Sequence, residues 1–219
     1  MKRGVSLLLV MILAVTLLFT SCNRTYNEKE VKDAAEILLR DSMMLNSVYF
    51  GDGIHSINSD KEKGNYREAD PAHLNELGFT TITELKALTY KTFSVKEAEK
   101  IFSTVLSPLQ QENGTIVLNT RYYQGVDEET KLPTHIMVYR NYKQLFEDRL
   151  VGYDFSSLKV EGSKGDVVYL TVDLTVENEK GDSQVANIRF SLFEEIDGWK
   201  LNSATYANYN EYLDSEFFN

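Results

Sequence analysis

Asp166–Val167–Val168–Tyr169–Leu170–Thr171–Val172–Asp173–Leu174–Thr175–Val176–Glu177 alternates almost without a break. Val168, Leu170, Val172, Leu174 and Val176 fall on one face, and Tyr169, Thr171, Asp173 and Thr175 on the other. That is the period of a strand buried on one side. Asn178–Asp182 supplies a turn, Gln184–Ile196 a second strand, and Asp197–Gly198 a tight hairpin into Trp199–Leu201. Such hairpins imply antiparallel neighbours. Upstream, Thr115–Tyr123, Thr134–Tyr142 and Ser157–Glu161 read as further strands.

Before Pro108 the period is helical. In Glu28–Tyr49, Val31, Ala35, Leu38, Ser42, Leu45 and Tyr49 recur by four and three to form one stripe, and Gly51–Asp52–Gly53 ends the helix. Residues 51–70 have no period and are rich in Gly, Ser, Asn, Asp and Lys, so the reading there is a long loop, a kind of segment that is often functional. Asp70–Pro71 marks a helix start and Gly78 its stop, giving a short helix over Pro71–Leu77. Two capping boxes follow. Thr81–Ile82–Thr83–Glu84 opens a helix to about Phe93 with Ile82, Leu85 and Leu88 inward. Ser94–Val95–Lys96–Glu97 opens another to about Leu106 with Val95, Ala98, Phe102 and Val105 inward. The expected fold class is α+β: N-terminal helices packed on one face of a curved antiparallel sheet.

Met1–Lys2–Arg3 followed by the apolar run Val5–Thr20 has the form of a secretory leader. Leu18–Phe19–Thr20–Ser21–Cys22 resembles a bacterial lipobox, and Cys22 is the only cysteine in the chain. The expectation is a lipoprotein signal peptide over 1–21, lipidation of Cys22, a short tether over 22–28, and a single α+β domain over 29–219. Losing Lys2 and Arg3 with the leader moves the formal charge from −10 to −12. So acidic a body argues against nucleic acid, whose phosphates require Lys and Arg. Contact with the membrane is expected through the lipid alone, with the body extracytoplasmic and anchored to the cell membrane.

His55, His73 and His135 stand at no metal-ligand spacing, and neither a P-loop nor a dinucleotide fingerprint occurs, so no metal and no cofactor is expected. Glu128–Glu129 and Glu194–Glu195 lie near turns and read as solvated. Asp173 would matter only if it faced a cavity with Tyr169; sharing a face with Thr171 and Thr175, it reads as the solvent side, and no catalytic residue is assigned. Thirteen tyrosines are many for this length. Tyr122, Tyr123, Tyr139 and Tyr142, with Arg121 and Arg140, gather on two strands. Tyr and Arg bring large contact area with a polar handle, so these six form the candidate recognition surface.

Helices first and an acidic–Gly–Trp hairpin last, Glu194–Glu195–Ile196–Asp197–Gly198–Trp199–Lys200–Leu201, resemble the cystatin-like superfamily that includes nuclear transport factor and ketosteroid isomerase relatives. Tyr49–Phe50–Gly51–Asp52–Gly53, Ile82–Thr83–Glu84–Leu85–Lys86, Ala98–Glu99–Lys100–Ile101–Phe102 and Tyr153–Asp154–Phe155–Ser156–Ser157–Leu158–Lys159–Val160 resemble small Gram-positive exported lipoproteins. Some relatives of that group are described as inhibitors of cell-wall DL-endopeptidases. The resemblance implies a non-enzymatic lipoprotein that binds an envelope protein or cell-wall ligand and restrains a peptidoglycan hydrolase. The alternative is a small-molecule binder or isomerase-like enzyme with a pocket between helices and sheet.

Overall fold

The alternating stretch at 166–177 becomes one of the two inner strands of a four-stranded sheet. In a computed structural model of the chain, residues 26–58, 62, 64–106, 111–112, 115–116, 120–140, 149–178, 180–203 and 205 are described. The expected leader over 1–21, Cys22, Tyr142 and the aromatic stretch beyond Thr205 lie outside the described residues.

Four helices occur among the described residues. α1 (Glu28–Phe50) is capped by Asn27, whose side-chain oxygen accepts from the amides of Lys29 and Glu30. Its expected stripe is buried, with Leu39, Val48 and Phe50 added. α2 (Pro71–Leu77) starts at the Asp70 cap and stops at Gly78, which takes the left-handed φ of 80°. α3 (Ile82–Thr92) carries the complete Thr81–Glu84 capping box. α4 (Val95–Val105) carries only half of the second one. The Ser94 hydroxyl accepts from the Glu97 amide, but the Ser94 amide donates to Leu201 O at 2.8 Å. Glu97 instead turns inward, and burial pushes its carboxyl up despite Lys100 and Lys96 nearby. Val95 was expected inward and is exposed; the buried stripe of α4 is Ala98, Ile101, Phe102 and Val105.

Antiparallel strands follow, but not as one curved sheet. β1 (Tyr66–Glu68), β4 (Tyr122–Val126) and β5 (Pro133–Tyr139) form a three-stranded sheet in the order β1-β5-β4. β2 (Gln111–Glu112) and β3 (Thr115–Ile116) form a separate hairpin. β6 (Arg149–Lys164), β7 (Val167–Glu177), β8 (Ser183–Glu195) and β9 (Gly198–Leu201) form a four-stranded meander. The division has a simple cause. A strand has two edges, and β5 has both filled: Tyr139 lies opposite Tyr66 on one side and Val138 opposite Tyr122 on the other. No edge of β5 remains for β6.

Residues 51–70, expected as a structureless loop, supply that extra strand. Tyr66–Glu68 pairs with Met137–Tyr139, Ser56 bridges Ala69, and the Ile57 amide donates to Glu68 O at 2.9 Å. The strand expected at Ser157–Glu161 is the middle of β6, which is 16 residues long. Asp154 opposes Asp173 and Lys159 opposes Thr171, so five steps on β6 answer two on β7 and the longer strand must bulge. β7 itself behaves as read: its five apolar positions are buried and its alternate positions half-buried. One apolar cluster runs from Val31 to Leu201, with α1 packed on β6 and β9 and α3 on α1, α4, β4 and β9.

The small sheet meets the helices at the end of α1. The Tyr122 hydroxyl donates to Val48 O at 2.6 Å and accepts from the Ile54 amide at 3.0 Å. The Arg121 guanidinium donates to Gly51 O at 2.5 Å. All of this crowds Gly53, which sits at φ 79°; a Cβ there would lie 2.1 Å from Arg121 Nη2 and 2.5 Å from the Tyr122 hydroxyl. Gly53→Ala therefore combines an unfavourable backbone with overpacking, and urea unfolding should show a loss of about 2–4 kcal/mol. A loss under about 0.5 kcal/mol would mean that Arg121 and Tyr122 can be displaced freely.

Candidate recognition surface

Register divides the three-stranded sheet into two faces. Tyr122, Ile136 and Val138 share the face turned to the main core. Tyr66, Glu68, Tyr123, Met137 and Tyr139 share the other, since Tyr66 pairs with Tyr139, and Glu68 and Tyr123 with Met137. Tyr66 and Met137 are buried, yet neither joins the main apolar cluster. Tyr66 is the hub of this second face. Its ring centroid is 4.8 Å from that of Tyr123, edge on, and 5.1 Å from that of Tyr139, tilted. Its hydroxyl donates to Thr120 O at 2.8 Å. Burial pushes the Tyr66 and Tyr123 phenols above the usual tyrosine range, so both remain neutral hydrogen-bonding groups.

Charged residues gather at the β1 edge of the sheet, where Arg67 is paired with Val138 and so alternates with the tyrosine face. Arg140 pairs with Glu62, and Arg67 reaches the same carboxylate at 3.4 Å. The Arg140 amide donates to Asn65 O at 2.8 Å, fixing the strand end from which its side chain leaves. Of the six residues expected at the surface, Arg140 is exposed and Tyr123 and Tyr139 are half-buried. Arg121 and Tyr122 are not surface residues: both are buried beneath the sheet, where they hold the α1 turn, and Tyr142 lies outside the described residues. The structure adds Tyr66, buried at the centre of the tyrosine face, with Arg67 and Glu62 at the β1 edge. These belong to a three-residue strand and its approach, too short for any period to reveal.

The other titratable groups have local duties. The Asp127 carboxylate accepts from the Thr130 amide and hydroxyl and from the Glu129 amide, which hold it below the usual range, so Glu128–Glu129 is part of a capped turn. Glu195 accepts from the Val95 amide at 3.3 Å. Asp173 lies opposite Asn187 on the outer face of the large sheet and accepts from its amide nitrogen at 2.7 Å, beside Thr171 and Thr175 as expected. His135 packs its ring against Gly125, where a Cβ would come within 2.8 Å of Nε2. Among the described residues, no group of three His, Cys, Asp or Glu is arranged to hold a metal ion.

One pairing escaped the sequence. His55 and His73, eighteen residues apart, stack with ring centroids 3.8 Å apart and planes at 20°. The Ser56–Ala69 bridge and the Asp70 amide bond to His55 O bring the two segments alongside, and the His55 amide donates to His73 Nδ1 at 2.9 Å. His73 thereby acts as a cap for a loop amide, which needs an unprotonated Nδ1.

No protein family, curated protein or solved structure matches this chain. What the site can do follows from its own geometry: a small sheet presents two half-buried tyrosine rings on one face, with an exposed arginine at the end of β5.

His73→Ala should leave the fold intact while speeding hydrogen exchange of the His55 amide at least tenfold, about 1.4 kcal/mol of lost local protection. An unchanged exchange rate would mean that the stacked ring does not hold that amide in solution.

Proposed function

We propose that this protein is a non-enzymatic lipoprotein, held by lipid at Cys22, that binds a protein of the cell envelope through the tyrosine face of its small sheet. The observation carrying the proposal is the second face of the β1-β5-β4 sheet, where Tyr123 and Tyr139 stand partly exposed around Tyr66 beside the exposed Arg140. Aromatic rings already fixed by neighbours lose little conformational freedom on binding, and arginine adds a directional donor. The fold is proposed to be cystatin-like, on the strength of helices preceding an antiparallel meander that ends in the Glu195–Gly198 hairpin.

Restraint of a peptidoglycan hydrolase is the most specific form of the proposal. The body left after removal of the leader carries a formal charge of −12, which would draw a basic wall enzyme toward it. The face would then supply the contacts that persist after encounter.

Capture from envelope extract at physiological salt tests this. Wild-type protein should retain a hydrolase, and Tyr123→Ala with Tyr139→Ala should weaken retention by about tenfold or more, as expected when two aromatic contacts are removed. Recovery of no hydrolase would remove the specific form. Equal retention by wild type and the double variant would remove the tyrosine face.

A further inference from the structure

The end of the body from which the tether departs carries its own apolar tip. Tyr26 is the first described residue, and it is fixed in two ways. Its ring meets Trp199 edge on, with centroids 5.2 Å apart, and its hydroxyl donates to Gly165 O at 2.9 Å. Gly165 lies in the turn between β6 and β7, and Trp199 follows the Asp197–Gly198 turn between β8 and β9. Both turns therefore belong to the end of the large sheet where the chain enters α1. At the tip of the second turn stands Ile196, fully exposed with a relative accessibility of 110%. Val95, 56% exposed, is held beside it because the neighbouring Glu195 accepts the Val95 amide.

Only three residues, Asn23, Arg24 and Thr25, separate Tyr26 from Cys22, a span of at most about 13–14 Å when fully extended. If Cys22 carries lipid, the surface that meets the bilayer is the one around Tyr26 and Trp199. An isoleucine at a turn tip, at the same end of the sheet as a half-buried tryptophan and tyrosine that pack on the core, has the composition of an interfacial contact: an apolar side chain for the acyl boundary and amphipathic rings for the headgroup level.

We propose that the β8–β9 turn is a second membrane contact, in which Ile196 dips into the bilayer interface with Trp199 and Tyr26 at headgroup depth. This inference rests on the reading of Cys22 as the lipid attachment site. The contact is shallow. Glu195 and Asp197 flank Ile196, and Asp197 is tied back to Lys200 at 3.0 Å, while Lys200 Nζ also donates to Lys91 O at 3.0 Å. The carboxylates stay in water and favour a zwitterionic over an anionic surface. Two attachment points, lipid and turn, would fix the orientation of the body as a lipid alone cannot.

Trp199 is the only tryptophan in the chain, so its fluorescence reports on this turn and nothing else. Full-length protein extracted from its membrane is reconstituted in phosphatidylcholine vesicles with plain or brominated acyl chains, and the mass of its N-terminal peptide is measured on the same sample. The expected result is a lipid-bearing Cys22, Trp199 emission quenched by brominated lipid, and loss of that quenching in Ile196→Asp with thermal unfolding unchanged. A lipid-bearing Cys22 with unquenched Trp199 overturns the second contact and leaves the anchor standing. Equal quenching of Ile196→Asp overturns the role of the turn. A Cys22 without lipid overturns the anchor, and with it the basis for placing this end at the membrane.

Discussion

The last turn of a helix exposes carbonyls that its own backbone cannot satisfy, and in this protein a neighbouring sheet satisfies them. Val48 and Gly51 at the end of α1 receive the Tyr122 hydroxyl and the Arg121 guanidinium. Each group does a second job. The Tyr122 oxygen takes the Ile54 amide, fixing the path of the chain just beyond the helix. The Arg121 charge lies at the negative end of the helix dipole, where a cation is favoured. Because both side chains are buried, removing either would leave polar backbone groups unpaired in the interior, a cost of about 1–3 kcal/mol per group. That constraint fixes where the chain leaves α1, just ahead of the Ser56–Ala69 bridge and the pairing of β1 with β5.

From the same constraint follows the separation of the two ends. α1 has 23 residues, so it is about 34 Å long at 1.5 Å per residue. At its start, Tyr26 rests on Trp199 and the turn glycine at 165. At its finish stands the small sheet with Tyr66, Tyr123 and Tyr139 on its outer face. A module tethered at the first end would carry its tyrosine face roughly a helix length away along α1, which suits engagement of something outside the membrane.

The sequence told most about elements whose periods are long or whose caps are chemical. The alternation from Val168 to Val176 became β7 with the anticipated burial, and the Thr81–Glu84 box formed in full. The Asp70 and Gly78 signals bracketed α2 as read. Failure came where partners distant in the chain decided the outcome. Leu201 O took the Ser94 amide and left Glu97 to turn inward, so the second box could not close. The bulge in β6 hid a 16-residue strand behind a short alternating patch. Tyrosine enrichment near residue 122 was visible, but which rings face outward depends on which side of β4 and β5 the core covers, and Tyr66 between Tyr123 and Tyr139 comes from β1, which has three residues. The His55–His73 stack depends on the same pairing.

If Tyr122 and Arg121 clamp the end of α1, the α1 turn and the small sheet form one cooperative unit. Native-state hydrogen exchange on Tyr122→Phe tests this directly, because the substitution removes one oxygen and leaves the ring in place. The amides of Ile54, Ala69 and Tyr139 should lose protection together and by a similar free energy, while those of Leu170 and Leu174 in the large sheet keep theirs. Loss confined to Ile54, with Ala69 and Tyr139 as protected as before, would show that the small sheet holds its place without the clamp.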